Sequence, residues 1–123
     1  MMKALLLIAH GSRREQSNLE VVMLAEKLKQ KCSDHYPIIH AGFLELALPL
    51  IPEALKKCVD DGATSIIVLP YFLNSGRHVI EDIPTIVNNT ERDYPDVEIK
   101  IAAPIGASAQ MIDLLISSAN ATE

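Results

Sequence analysis

The stretch Ala4-Leu-Leu-Leu-Ile-Ala9 contains no polar residue. A strand with one wet face alternates apolar and polar side chains. An unbroken apolar run of this length therefore belongs to a strand covered on both faces, the normal condition of a parallel sheet. Ile66-Ile-Val-Leu69 repeats the signal, and Pro37–Phe43 and Val97–Ala102 are weaker strand segments.

The intervening segments carry helical spacing. Val21, Leu24, Ala25, Leu28 and Cys32 form one stripe, with Glu20, Glu26, Lys27 and Lys31 largely outside it. A second helix is predicted to begin within Pro49–Pro52 and to end at Asp61, with Gly62 as its C-terminal cap. Asp82 is placed as the cap of a third, with Pro84 in its first turn and an end near Asp93, before Tyr94-Pro95. Ser108 is placed as the cap of a fourth carrying Met111, Ile112, Leu115 and Ile116. The order βαβαβαβα implies right-handed crossovers and an α/β fold of three layers, a four-stranded parallel sheet flanked by helices. No internal repeat or linker divides residues 1–123, which read as a single domain.

The chain has 123 residues, 11 basic and 16 acidic, with formal net charge −5. That excludes a general nucleic-acid binder, which needs a basic face to displace counterions. No stretch has membrane-spanning length, and the apolar N-terminal run is too short for a signal peptide and lacks a cleavage motif. Cys32 and Cys58 fit no metal spacing and read as reduced thiols on buried helix sides, pointing to the cytoplasm.

Open parallel sheets bind ligands beyond the carboxyl ends of their strands, where strand order reverses. The polar residues there are His10, Ser12, Arg13 and Arg14 after the first strand, Glu45 after the second, and Asn74, Ser75, Gly76, Arg77 and His78 after the third. A 2-1-3-4 order puts His10 and His78 over one edge, with Glu45 in reach. Two imidazoles and a carboxylate suit a borderline divalent metal. Each also has an ordinary reading: hydrogen-bonded loop histidines, a carboxylate favouring a helix start, solvated loop arginines. His35 and His40 read as structural, and Glu81 and Asp82 as partners that orient the His78 ring, or, for Asp82, as a helix cap.

These residues resemble the short form of the sirohydrochlorin chelatase family, the small cobaltochelatase and siroheme ferrochelatase group. The matching stretches are Leu7-Ile-Ala-His-Gly-Ser-Arg13, Phe43-Leu-Glu45 with Pro49 behind, Leu69-Pro-Tyr-Phe-Leu-Asn-Ser-Gly-Arg-His78 with Asp82-Ile-Pro84, and Pro104-Ile-Gly106. The resemblance implies a chelatase-like half domain and insertion of Co²⁺ or Fe²⁺ into sirohydrochlorin. His10 and His78 would be metal-binding and catalytic, assisted by Glu45. It implies a homodimer with the macrocycle in its central cleft, and no tightly bound cofactor, the metal being substrate. A His-Pro common near 108–109 is absent here, as are the histidine-rich insertion of nickel-using relatives and the C-terminal cysteines of iron–sulfur ones.

The chemistry suits these residues. Metallation removes two pyrrole protons while a metal enters one face, and a neutral imidazole serves both as base and as ligand. Ser12, Arg13, Arg14, Ser75, Gly76 and Arg77 are candidates to hold the macrocycle's carboxylates. One domain of this size has too little concave surface to enclose such a ring, which independently favours a dimer. Two rivals stand beside this reading: a non-catalytic metal or tetrapyrrole carrier, and a histidine-type phosphatase. The latter places Arg before its His-Gly, where this chain has Ala9.

Overall fold

The computed structural model describes residues 2–74, 76 and 81–122. Strand β1 (Lys3–Ala9) leads to helix α1 (Glu15–Cys32), then β2 (Ile38–Phe43), α2 (Ile51–Asp60), β3 (Ser65–Pro70), α3 (Ile83–Glu91), β4 (Glu98–Ile101), a 3-10 turn (Ile105–Ala107) and α4 (Gln110–Asn120). The strands lie in the order β2-β1-β3-β4 and are all parallel, the arrangement that the unbroken hydrophobic runs call for. The order itself is the 2-1-3-4 one supposed above.

β1 is central. Ala4, Leu6 and Ile8 face α2 and α3, in a core with Ile66, Val68, Leu55, Cys58, Ile83 and Val87. Leu5, Leu7 and Ala9 face α1, in a second core with Val21, Ala25, Ile39 and Phe43. Burying every residue from Ala4 to Ala9 is what the missing alternation requires. α2 lies very close to β2: a Cβ added at Gly42 would stand 2.8 Å from the Ala54 methyl.

The helix boundaries follow the local signals in most places. Pro52 sits in the first turn of α2, and Gly62 at φ 103° stops the chain after Asp61. Pro84 occupies the first turn of α3. Ser108 misses its expected place by one residue: Ala109, already helical, holds the capping position of α4 without a side-chain bond, while the Ser108 hydroxyl oxygen accepts the Gln110 N–H at 3.3 Å just ahead of it. Asp82 departs from its expected role. Its backbone is already helical (φ −73°, ψ −42°) with no side-chain cap bond, because the chain enters α3 through a wider turn at 81–82. Both thiols are free. Cys58 is fully buried, whereas Cys32 ends α1 half-buried with its S–H on the Leu28 carbonyl.

α4 is the larger surprise. Its apolar stripe does not meet the sheet: Ile112, Leu114, Leu115 and Ile116 are 54–62% exposed. Among the described residues its one substantial neighbour is the 3-10 turn.

Candidate metal and tetrapyrrole site

The pairing of β1 with β2 does not end with the strands. The Leu44 N–H donates to the Ala9 carbonyl (2.9 Å) and the Glu45 N–H to the His10 carbonyl (3.0 Å). Two residues thirty-five positions apart are thereby set side by side beyond the sheet edge. Gly11, at φ 93°, turns the chain here, and a Cβ on it would fall 1.7 Å from the Glu45 carbonyl oxygen. Only glycine permits both the left-handed conformation and this approach. On the other flank the Tyr71 N–H donates to the Ile8 carbonyl at 2.7 Å, so the segment after β3 stays beside β1. The two chain exits leave at the β1–β3 reversal, as expected for a ligand crevice.

The side chains meet as well. His10 Nε2 lies 3.3 Å from Glu45 Oε1, both about half exposed (42% and 51%). His10 Nδ1 is 3.1 Å from the Gly11 carbonyl, a contact that fixes the proton on Nδ1 in the neutral ring. Nε2 is then the nitrogen that faces the carboxylate. Such a pair is favourable only with positive charge between its members, a proton or a metal ion. A backbone carbonyl holding the far ring nitrogen is also how ligating histidines are oriented.

A groove of about 420 Å³ opens beside Glu45, lined by Leu44, Glu45, Glu81, Asp82, Thr85 and Ile86. It collects three carboxylates from two elements. Sequence reasoning linked Glu81 and Asp82 to His78 and missed their place across from Glu45. The sequence carries no signal for this, because the wide turn that precedes α3 and sets both residues beside Leu44 and Glu45 leaves no mark in composition or periodicity.

A larger hollow of about 530 Å³ lies on the other side of the Glu45 loop, lined by Ser12, Arg13, Asn18, Leu19, Leu46 and Leu48 among others. Leu46 has φ 67°, a left-handed conformation that costs a leucine about 1–2 kcal/mol. It and Leu48 nonetheless remain exposed. Sequence reasoning passed over both leucines, since single apolar residues in a loop carry no periodicity.

The basic loop is braced internally. The Ser12 N–H donates to Asn18 Oδ1 (2.9 Å), and Asn18 Nδ2 returns a bond to the Ser12 carbonyl (2.8 Å). Ser12 Oγ accepts the Arg14 N–H at 3.0 Å. The main-chain donors of this turn are thus largely taken up, and what Ser12 offers a ligand is its hydroxyl proton. Arg13 and Arg14 are exposed at the start of α1, with Arg14 Nη1 donating to Ser17 Oγ at 3.2 Å. Gly76 is exposed in open space. Ser75, Arg77 and His78 lie outside the described residues.

Among the described residues no three histidine, cysteine or acidic side chains close around one point. His10 and Glu45 supply two donors of the expected set. The two other described histidines have contacts away from this pair. His40 Nε2 pairs with Asp61 Oδ2 at 2.6 Å, and His35 stands edge-on to Tyr36 in an exposed turn.

Comparison with known proteins shows the family. The chain is 35% identical to a sirohydrochlorin cobaltochelatase of Methanocaldococcus jannaschii, over 96% of this chain and 98% of that protein. It is 33% identical to the sirohydrochlorin ferrochelatase of Priestia megaterium, covering 98% of itself but 45% of that longer protein. The crystal structure of the sirohydrochlorin chelatase SirB from Bacillus subtilis subspecies spizizenii in complex with cobalt superposes with a TM-score of 0.86 at 31% identity. That match takes in 98% of this chain and 50% of SirB. The CbiX family model matches residues 4–122, and the chain belongs to that family.

Proposed function

We propose that this protein is a sirohydrochlorin chelatase, a lyase that inserts a divalent metal, Co²⁺ or Fe²⁺, into the free-base macrocycle on the route to cobalamin or siroheme. The observation that carries the reading is the His10–Glu45 pair, an imidazole Nε2 held 3.3 Å from a carboxylate oxygen. The names of the CbiX-family relatives agree with it. His78 completes the site as the second imidazole. Ni²⁺ is the less favoured metal, and no further cofactor is required.

The metal is a substrate and must leave. Two imidazoles and one carboxylate bind a borderline ion without the persistence of thiolates, and neither cysteine approaches this end of the sheet. Glu81 and Asp82 lend the approach a negative potential that concentrates cations. His10 or His78, in its neutral form, accepts a pyrrole proton as the metal enters. Arg13 and Arg14, with Ser12, Ser75, Gly76 and Arg77, hold the ring's carboxylates, while Leu46 and Leu48 offer the hollow beside them an apolar wall.

Residues 1–123 act as one chelatase half. A homodimer supplies the second wall of the cleft, in place of the second half carried by the longer relatives. The protein works in the cytoplasm, without nucleic acid. Among the described residues no helix is long and apolar enough to cross a membrane.

Incubation with sirohydrochlorin and Co²⁺ or Fe²⁺, followed by visible absorbance, tests the reading. Insertion well above the buffer rate is expected, and His78→Ala is expected to abolish it with fold and dimer intact. Insertion no faster than in buffer, with p-nitrophenyl phosphate cleaved, would overturn it. Macrocycle binding without turnover would leave a carrier instead.

A further inference from the structure

Two of the five glycines meet a backbone carbonyl closer than any side chain allows. Gly11, against Glu45, is one. Gly106 is the other: a Cβ there would fall 1.8 Å from the Leu73 carbonyl oxygen, 2.5 Å from its carbon and 2.8 Å from the Leu73 Cα. The contact is with backbone, so no change of rotamer relieves it. It belongs to the turn Pro104-Ile-Gly-Ala107, which carries no titratable group and no metal donor.

Both partners of the contact are held from behind. The chain after β4 leaves the sheet beside the chain after β3. The Ala102 N–H donates to the Val68 carbonyl at 2.8 Å, and four residues further along both segments the Gly106 N–H donates to the Phe72 carbonyl at 2.9 Å. The turn is closed on itself by the Ala107 N–H on the Pro104 carbonyl (2.9 Å) and the Ser108 N–H on the Ile105 carbonyl (3.0 Å). Opposite it, the Tyr71 N–H is tied to the Ile8 carbonyl at 2.7 Å, and Phe72 packs against the core under α2 and α3. Neither side backs away without breaking these bonds. Leu73 therefore stands where a bare Cα at 106 lets it stand, and five residues later in the sequence comes His78. The other flank of the site is built alike, with Gly11 seated on the carbonyl of the residue that carries the carboxylate.

We propose that Gly106 is a positioning residue for metal insertion: its missing side chain seats the 104–107 turn on Leu73, and so fixes where the chain that runs on to His78 leaves the sheet. The inference rests on the chelatase reading, in which His78 is the second imidazole. Gly106 has no side chain to offer metal or macrocycle and acts through His78, as groups placed behind a ligand do. A glycine needed for stability alone would weaken the whole protein without singling out one donor. The two roles are separable by measurement.

A double-mutant cycle on Co²⁺ affinity, read by titration calorimetry with Co²⁺ alone, tests this in the full-length chain. Gly106→Ala is expected to weaken Co²⁺ binding about 10-fold or more in the natural protein, the scale of losing a group that orients a ligand. In a His78→Ala background the same change is expected to cost less than about 2-fold, because the donor it places is already gone. Gly11→Ala, which acts through Glu45, is expected to keep its effect there. Equal weakening by Gly106→Ala in both backgrounds, or no weakening in the natural protein, overturns the proposal and leaves the chelatase reading standing. If His78→Ala itself leaves Co²⁺ affinity unchanged, His78 is no ligand and the proposal falls with that assignment, while the insertion assay above still decides the activity. Should Gly106→Ala not fold, hydrogen exchange of the natural protein decides. Coupling is reciprocal, so saturating Co²⁺ must raise the protection of the Gly106 amide, and must not do so in His78→Ala. Protection that Co²⁺ does not move overturns the proposal.

Discussion

Glu45 and His10 form a unit in which each defines the use of the other. Glu45→Gln keeps shape and hydrogen-bonding capacity but removes the charge that favours a cation at Nε2. Metal insertion is expected to fall about 10²-fold, the scale of a lost acid–base or ligand group. Quenching of macrocycle fluorescence should still report binding within a factor of about three. A loss of macrocycle affinity equal to the loss of rate would assign Glu45 to ring binding instead. Gly11 supports the same pair through the backbone. Gly11→Ala forces a methyl into the Glu45 carbonyl at a φ that alanine avoids, and a loss of about 3 kcal/mol is expected in urea unfolding. A change under about 1 kcal/mol would show that the loop relaxes without cost.

The strands were the most legible elements, because burial on both faces leaves a sequence signature that half-exposure does not. The parallel sheet followed from the strands; the 2-1-3-4 order was a supposition that the pairing of β1 with β2 and β3 bears out, and it sets Glu45 beside His10. What stayed hidden has a common cause. Amphipathic spacing announced that α4 has an apolar face but not which surface covers it. Asp82 had the composition of a cap, yet capping depends on backbone angles that composition does not encode. Leu46 and Leu48 belong to no periodic pattern at all. Packing between elements was equally silent about Gly42, whose missing side chain lets α2 settle on β2. Gly42→Ala should therefore destabilise by about 1–3 kcal/mol through overpacking against Ala54, read as a lower melting temperature with insertion at permissive temperature unchanged. Pairing it with Ala54→Gly should recover much of that loss. Additive losses would place the strain elsewhere.

For the whole molecule, the buried Cys58 links stability to alkaline pH. Burial, reinforced by Asp61, pushes its thiol from 9.0 up to about 12. The unfolded chain releases this proton near 9, and the folded protein holds it to about 12. Stability from this source is thus complete below pH 9 and declines as pH rises from 9 toward 12. Urea unfolding across that range should show a steeper decline for the natural chain than for Cys58→Ala. Equal slopes would remove Cys58 as the cause. In the native state iodoacetamide should alkylate the half-buried Cys32 first.

The carbonyl of Glu45 fills the volume where any side chain at position 11 would begin, and the ladder bonds behind it fix the spacing of histidine and carboxylate. Sequence drift in this chain is therefore barred from moving one donor relative to the other. On the proposed reading, a lineage that shifts from one metal to another has to do so at positions that face the pair without carrying it, 81 and 82. A library confined to those two codons would sample the accessible metal preferences while the jaw itself stays the same size.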